Sequence, residues 1–482
     1  METRLEHDLL GEMRVPADAY YGIHTLRAHE NFNLSGQTLH SELIRALAEV
    51  KKACALANER TGYLDKPIAD AICKACDEII AGNLRDQFIT DAFQGGAGTS
   101  ANMNANEVIA NRAAELLGGK KGDYSLVHPL DHVNLSQSTN DVFPTAVRIA
   151  AIRMVSNASR AMSELQQALQ HKENEFAGVL KVGRTEMQDA VPITLGQEFA
   201  AWAQAVQRDW WRLYKVEERL RQVNLGGTAV GTGLNADRRY VYAVVDILRE
   251  VTGLPLARAE NMIDVTQNAD VFSEVSGLVK AAAVNLAKIA GDLRILSSGP
   301  RAGIAEIKLP PLQAGSSIMP GKVNPVATEA ASQAAFQIMA NDQAIGFAAA
   351  SGQLELNAFL PMIAHNLFQS LQLLTNAAKL LAHKCILGIE ADEQRCRDLL
   401  EHSFAMLTAL SPYIGYESAS DLAVRAQQSG KSIREVALET GLFTKDQLDR
   451  ILSTVEMTRP GIAGLDELSR DAGRADVRDN NI

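Results

Sequence analysis

Much of the chain repeats apolar residues at steps of three and four, the pattern of amphipathic helices. The clearest stripe runs from Val147 to Ala168 and includes small residues that let neighbouring helices approach closely. Similar stripes predict further helices, over residues 38–59, 68–81, 195–223, 271–296, 326–350 and 354–387. The longer ones exceed the usual ~11–12 residues of a globular helix, so the pattern predicts a mainly α protein with a central bundle of long helices.

Several of these helices are apolar on more than one face, as in residues 275–284. A helix that is apolar all round is usually buried inside a larger assembly, so we expect the chain to oligomerise through the bundle. The pattern predicts three domains: an N-terminal helical domain (1–141), the long-helix bundle (142–391) and a small C-terminal helical domain (392–482). Residues 1–36 predict an irregular arm, and the charged tail from about Arg470 is expected to fray.

Composition excludes several classes of function. The 482 residues carry 47 basic and 58 acidic side chains, a formal charge of -11, which argues against nucleic acid as the main partner. No apolar run reaches the ~18–20 residues of a membrane helix, and the first residues lack the apolar region of a secretory signal. The cysteines are sparse and odd in number, which favours a reducing compartment. We therefore expect a cytoplasmic protein that binds neither nucleic acid nor membranes.

Four polar clusters are candidates for chemistry, and each is predicted near the junction between a loop and a helix start. They are Thr99-Ser100, Ser138-Thr139-Asn140, Thr185-Glu186 and Asn324-Pro325. Helix starts expose unpaired N–H groups and a partial positive charge, so the clusters would form an anion site if they converged. The alternative, four unrelated helix caps, fits the spacing equally well.

The most polar loop is residues 315–325, Gly-Ser-Ser-Ile-Met-Pro-Gly-Lys-Val-Asn-Pro. Its glycines and prolines cannot continue a helix or strand, while its hydroxyls, lysine and asparagine suit a mobile loop over a substrate. Lys322 supplies the one fixed positive charge among the clusters. A small carboxylate substrate would use all of these parts.

Competing motifs are incomplete. The glycine run at 95–98 has neither the Gly-Lys-Ser/Thr of a P-loop nor a surrounding βαβ pattern. Cys73 and Cys76 lie one turn apart in a predicted helix without a second ligand pair, so no metal site is predicted there. His128 and His132 lie in a predicted loop, where metal binding is the weaker interpretation. Ser316 is not part of a Gly-x-Ser-x-Gly elbow, which argues against an esterase.

Residues 315–325 resemble the mobile serine loop of the aspartase/fumarase superfamily, and the resemblance extends over the whole chain. Further matching segments are residues 9–11, 15–22, 98–100, 137–141, 183–185, 189–192 and 430–434. Within the superfamily, Gln-Ser-Thr-Asn-Asp at 137–141 is similar to the aspartase form, because fumarases commonly carry serine in place of Thr139. The resemblance implies reversible removal of ammonia from L-aspartate to give fumarate, without an organic cofactor. Class II fumarase and a non-catalytic structural relative are the alternatives.

The resemblance also implies roles for individual residues. Ser316 would remove a proton from the carbon beside the side-chain carboxylate and leave an aci-carboxylate. That carboxylate would be held by Thr99, Ser138, Thr139 and Ser317, and the other carboxylate by Thr185, Lys322 and Asn324. Asn140 and Glu186 would face the amino group, although relatives often carry His or Gln at position 186. A homotetramer with active sites assembled from three chains is implied, and activation by a divalent metal is left open.

Overall fold

The computed structural model describes residues 2–466, and the tail from about Arg470, with its predicted fraying, lies outside them. Helices predominate in this part of the chain, which confirms the predicted mainly α fold class. The α-helices are α1 Ile23–Asn31, α2 Ser41–Thr61, α3 Lys66–Ile80, α4 Thr99–Leu116, α5 Thr139–Glu175, α6 Leu195–Leu220, α7 Arg238–Thr252, α8 Met262–Gln267, α9 Asp270–Leu296, α10 Val326–Ala350, α11 Leu360–Leu380, α12 Glu393–Glu401, α13 Leu407–Ser429, α14 Ile433–Glu439, α15 Lys445–Ile451 and α16 Thr454–Met457. Across residues 2–466, no helix has both the length and the apolar character required to span a membrane.

Short strands pair into small sheets of two strands each. The antiparallel pairs are β1 Thr3–Asp8 with β2 Gly11–Pro16, β3 Leu180–Thr185 with β4 Gln188–Thr194, and β7 Ile307–Lys308 with β8 Glu390–Ala391. The parallel pair is β5 Gln222–Val223 with β6 Ala257–Arg258. The strands β5 to β8 have two residues each, too few alternating positions for a periodicity argument to find them.

The described chain divides into two compact units. Among the described residues, the first contains 2–161, Asp209–Val284 and Ala334–Asn376, and the second contains Met162–Arg208, Asn285–Gln333 and 377–466. The three domains inferred from the sequence pattern, residues 1–141, 142–391 and 392–482, stay a prediction.

Most of the predicted helices are present with similar bounds, and α10 covers the predicted residues 326–350. The predicted helix from 354 begins later, at Leu360. The reason is a turn built on Asn357, whose side-chain nitrogen donates to the carbonyl of Ala348 at 3.0 Å while its oxygen accepts from the N–H of Phe359 at 2.8 Å. These bonds end α10 and start α11 six residues downstream of the predicted position.

The prediction of an irregular arm over residues 1–36 is wrong, because this segment contains the β1–β2 hairpin and α1. The start of α1 is satisfied from a distance by the buried carboxylate of Glu107 on α4. That carboxylate accepts hydrogen bonds from the N–H groups of Gly22 at 2.8 Å, His24 at 2.9 Å and Thr25 at 3.1 Å. A helix start capped by a residue so far along the chain gives no local signal.

The C-terminal part of the second unit has its own apolar core. Its buried side chains include Leu410, Leu422, Val436 and Leu448, and Val182 of β3 packs in the same cluster. Within this part, α13 is kinked at Gly415, where φ is 76°. This core fixes one face of the β3–β4 hairpin, which carries the Thr185-Glu186 cluster.

Candidate active site

The first candidate residue, Thr99, begins α4 in the first unit, as predicted. The preceding Gly98 has φ 96°, and a Cβ at this position would lie 2.5 Å from the ring of Phe143. Glycine is therefore required by both the backbone conformation and the close approach to α5. The Thr99 side chain is exposed, and its hydroxyl donates to the carbonyl of Gly96 at 2.7 Å. The Gly98–Phe143 packing holds the Thr99 loop against the beginning of α5.

The Ser138-Thr139-Asn140 cluster forms the start of α5, also as predicted. The Ser138 hydroxyl accepts from the N–H of Asn140 at 3.2 Å, in the manner of a helix cap. Thr139 is buried, and its hydroxyl accepts from the side-chain nitrogen of Asn102 on α4 at 3.2 Å. Direct contacts between α4 and α5 thus bring Thr99 and the Ser138–Asn140 segment into one neighbourhood.

A buried amide network behind this segment was not predicted from the sequence. Its centre is the side-chain oxygen of Asn134, which accepts from Lys51 at 2.9 Å and from Asn102 and Asn106 at 3.2 Å each. The Lys51 ammonium also donates to the side chain of Gln137 at 2.9 Å. Burial lowers the pKa of Lys51 to about 8. The network fixes the loop that leads directly into the predicted substrate-binding residues.

Asp141 joins two loops and was also missed as a site residue. Its fully buried carboxylate accepts from the N–H of Ser138 at 2.9 Å, of Gly226 at 3.1 Å and of Thr228 at 3.0 Å. Burial raises the pKa of Asp141 to about 6, against the lowering effect of these three donors and of Lys51. The glycine-rich stretch at 226–233 was the available signal for this second loop, but the sequence does not indicate its partner.

Asn140 contacts the same glycine-rich loop. Its side-chain nitrogen donates to the carbonyl of Ala229 at 2.8 Å, and its own carbonyl accepts from the side chain of Asn224 at 3.0 Å. A carbonyl can only accept, so the amide nitrogen of Asn140 faces Ala229 and the amide oxygen is left to accept from a ligand.

In the second unit, the prediction that Thr185-Glu186 lies near a helix start is wrong. Thr185 ends β3, and Glu186 and Met187 form the two-residue turn to β4. Both turn residues have positive φ, 53° and 65°, which matches the hairpin twist but is unusual for residues with side chains. Such conformations persist where the surrounding structure imposes them, and they cluster at functional sites. The turn presents Thr185 and the Glu186 carboxylate to solvent, without a hydrogen-bond partner for that carboxylate within residues 2–466.

The loop at residues 315–325 closes on itself before α10. The side-chain nitrogen of Asn324 donates to the carbonyl of Gly315 at 3.2 Å, and a Cβ at Gly315 would overlap the carbonyl of Lys322. The Ser316 hydroxyl oxygen accepts from the N–H of Ile318 at 3.3 Å and of Met319 at 3.0 Å. The loop therefore holds Ser316 with two N–H donors on its oxygen.

The structure thus groups the candidates in three places. The first unit brings together Thr99, Ser138, Thr139 and Asn140. Within the second unit, one loop carries Ser316, Ser317, Lys322 and Asn324, and the hairpin tip carries Thr185 and Glu186. Ser317 and Lys322 are exposed, as a loop that covers a ligand requires.

The residues set aside in the sequence fit structural roles. Cys73 and Cys76 are free thiols on α3, and burial raises the pKa of Cys73 to about 11. The segment between His128 and His132 is a π-helical turn rather than the predicted loop, and the N–H of His128 donates to the ring of His132 at 2.9 Å. Among residues 2–466, no group of three or more His, Cys, Asp or Glu side chains is arranged to hold a metal.

Comparisons with known proteins give consistent relationships over nearly the whole chain. The lyase family matches residues 11–340, and the family described as fumarase C C-terminus matches residues 406–459. A curated aspartate ammonia-lyase from Bacillus sp is 51% identical over 463 residues, which cover 96% of this chain and 99% of that protein.

Solved structures extend the comparison to the fold. A fumarate lyase:delta crystallin from Brucella melitensis, bound to cobalt, has a TM-score of 0.91 and 50% identity, covering 95% of this chain and 100% of that one. A class II fumarase from Schistosoma mansoni has a TM-score of 0.89 but only 35% identity, with the same coverage of 95% and 100%. The fold is common to these proteins, while sequence identity is higher to the aspartate ammonia-lyase than to the fumarase.

Proposed function

The chain belongs to the lyase family of the aspartase/fumarase superfamily, and we propose that it is an aspartate ammonia-lyase, which converts L-aspartate reversibly to fumarate and ammonia. The higher identity to a curated aspartate ammonia-lyase than to a class II fumarase supports this choice. Thr139 in the Gln-Ser-Thr-Asn-Asp segment supports it as well.

The observation that carries the chemistry is the pair of N–H groups on the Ser316 oxygen, from Ile318 at 3.3 Å and Met319 at 3.0 Å. A serine hydroxyl is a poor base in water, because its alkoxide is a high-energy anion. Backbone donors and exclusion of water under a closed loop stabilise that anion, and the ammonium of Lys322 on the same loop adds a favourable field. Ser316 is accordingly the base of the proposed reaction.

The substrate proton leaves the carbon beside the side-chain carboxylate and is accepted by the Ser316 alkoxide. The electron pair moves onto that carboxylate, which becomes an aci-carboxylate with a second negative charge. Hydroxyl donors stabilise this charge, and they are Ser138, Thr139, Ser317 and Thr99, whose hydroxyl turns from the Gly96 carbonyl to the substrate. The electron pair then forms the carbon–carbon double bond of fumarate as the neighbouring carbon–nitrogen bond breaks.

The other carboxylate and the amino group are held by separate residues. Lys322, Asn324 and Thr185 bind the carboxylate next to the amine. The free amide oxygen of Asn140 and the carboxylate of Glu186 accept from the substrate ammonium. Because the amine enters as an ammonium, it leaves as neutral ammonia without a general acid, whereas expulsion of hydroxide from malate would require one.

Assembly into a homotetramer completes the proposal. Phe336 and Phe347 on α10 are 61% and 72% exposed in the single chain and lie three helical turns apart on one face. Large aromatic side chains exposed on one face of a helix are typical of an interface. We assign this face to contacts between copies, with active sites built from three chains. The five cysteines are all free thiols, which supports a cytoplasmic location.

One assay separates the alternatives. Loss of fumarate absorbance is followed with ammonium, without ammonium, and in Ser316→Ala under both conditions. An ammonia-lyase consumes fumarate only when ammonium is present, and Ser316→Ala abolishes turnover while aspartate binding, measured by calorimetry, is largely retained. Consumption of fumarate alone would identify a fumarase. No consumption in either condition would favour a non-catalytic relative.

A further inference from the structure

A fully buried carboxylate in the second unit binds both cationic side chains of strand β3. Glu306 is 0% exposed, and its carboxylate lies 3.1 Å from the Lys181 ammonium and 2.9 Å from the Arg184 guanidinium. Lys181 is itself only 1% exposed. Neither cation belongs to the proposed reaction, so the cluster has no assigned purpose.

The two cations approach Glu306 next to a β-bulge in the β3–β4 hairpin. Residues 181 and 184 are separated by an odd number of positions, so in a regular strand they would point to opposite faces. The register of β3 against β4 shifts between Val182 and Arg184, because Ala190 and Val191 of β4 lie opposite the single residue Gly183 of β3. Gly183 faces this bulge, and a Cβ there would be 2.6 Å from the carbonyl of Val191. Beside the bulge, the long side chains of Lys181 and Arg184 both reach the Glu306 carboxylate.

Glu306 is held firmly by its own backbone. Its N–H donates to the carbonyl of Leu296 at the end of α9 at 3.0 Å, and its carbonyl accepts from the N–H of Asp392 at 2.9 Å. The next two residues form β7, and the chain then continues to the Ser316 loop. Glu306 therefore connects the hairpin that carries Thr185 and Glu186 with the strand that precedes the Ser316 loop.

We infer that Glu306 is a positioning residue. Through its contacts with Lys181 and Arg184, it fixes the Thr185–Glu186 hairpin tip relative to β7, the strand that precedes the Ser316 loop. This inference rests on the proposed function for its kinetic consequences. Removing one partner from a buried ion pair leaves the other charge uncompensated, so the hairpin moves to solvate its cations. The predicted result is impaired recognition of the substrate ends that Thr185 and Glu186 hold.

The chain offers a matched control in Glu198. Its carboxylate also contacts Lys181, at 2.8 Å, but it lies on α6 and has no connection to β7. Glu198→Gln and Glu306→Gln therefore remove the same chemical group from the same lysine. Only Glu306→Gln breaks the link between the hairpin and β7, the strand that precedes the Ser316 loop.

The kinetic test compares Glu306→Gln, Arg184→Gln, the double variant and Glu198→Gln. We expect each single variant of the Glu306–Arg184 pair to raise KM for aspartate about tenfold or more, with a smaller change in kcat. The double variant should lose no more than either single variant, because the two residues act as one unit. Glu198→Gln should stay within about twofold of the wild type. Additive losses, or equal losses in the control, would overturn the inference.

A second measurement does not depend on turnover. Hydrogen exchange of the ligand-free protein should show faster exchange of the β3–β4 backbone amides in Glu306→Gln and Arg184→Gln than in Glu198→Gln, with unchanged exchange in α14 and α15. Unchanged hairpin exchange in both variants contradicts the inference even if the wild type proves to lack lyase activity. If Glu306→Gln does not fold, Arg184→Gln tests the same contact from the partly exposed side.

Discussion

The side-chain nitrogen of Asn140 donates to the carbonyl oxygen of Ala229 at 2.8 Å, and this contact determines which end of the amide is free. The side-chain oxygen is turned away from Ala229 and can accept from a substrate ammonium, while one of the two N–H groups of the nitrogen is already used. Asn224 fixes the backbone of Asn140 from the same side. The geometry therefore suits Asn140 to the amino group.

Replacing Asn140 with alanine should weaken aspartate recognition selectively. A hydrogen bond to a charged group contributes about 1.5–3 kcal/mol, so we expect KM for aspartate to rise roughly 10- to 100-fold. Inhibition by succinate, which has the same two carboxylates and no amine, should change little. Ser100→Ala, next to Thr99 on α4, is the control for damage to the first unit. An equal loss of succinate binding in Asn140→Ala would contradict an amine contact.

Glu186→Ala should also raise KM for aspartate sharply, because the turn presents an otherwise unpaired carboxylate. Glu186→Gln keeps an acceptor without the charge, so its effect should be intermediate. The neighbouring Met187→Ala has the same backbone conformation and controls for disturbance of the turn. If KM is unchanged in Glu186→Ala, the side chain points away from the substrate and Asn140 alone contacts the amine.

Local sequence signals predicted the helices and the polar loop well. The bounds of α10 follow from its apolar stripe and from Asn324-Pro325 before it. Thr194 and Gln197 form a capping box at the start of α6, with reciprocal bonds of 3.1 Å each. In each case the determining contacts are only a few residues apart, so the pattern contains the information.

Contacts between distant segments could not be predicted in this way. Thr185 lies on a hairpin because its strand pairs with β4 and packs on the C-terminal core, and nothing at Thr185-Glu186 itself indicates this. Asp141 is the last residue of the recognisable segment 137–141, but its bonds to Gly226 and Thr228 connect segments about 85 residues apart. The supporting structure of the candidate site is therefore the part that the sequence did not predict.

The exposed face of α10 should hold copies of the chain together. Phe336→Glu combined with Phe347→Glu introduces charges into an apolar face, and we expect a smaller species by light scattering together with loss of lyase activity. Tyr416→Glu replaces an aromatic residue on α13 that is 82% exposed, and it should leave both the mass and the activity unchanged. Retention of the wild-type mass by the double variant would exclude this face from the interface.

Asp141 should give the activity an acid limb near pH 6. Burial raises its pKa to about 6 from the ordinary 3.8. The ionised carboxylate accepts from three backbone N–H groups, and protonation replaces an accepting site with a donor that faces other donors. The segment that carries Asn140 is then oriented less precisely within the folded protein, so kcat/KM should fall as the pH decreases through about 6. Asp141→Asn lacks this titration, so its lower kcat/KM should not show that step.

Protonation of Asp141 should raise stability, although it lowers kcat/KM. A carboxyl whose pKa is raised by folding binds its proton more tightly in the folded state. Its favourable contribution to the free energy of unfolding is complete below pH 3.8 and is lost as the pH rises through about 6. The difference between these two pKa values corresponds to at most about 3 kcal/mol in the free energy of unfolding. The test measures thermal midpoints and kcat/KM from pH 5 to 8 for both proteins. As the pH rises, the wild type should lose stability relative to Asp141→Asn while it gains activity. Parallel stability profiles of the two proteins would contradict the raised pKa of Asp141.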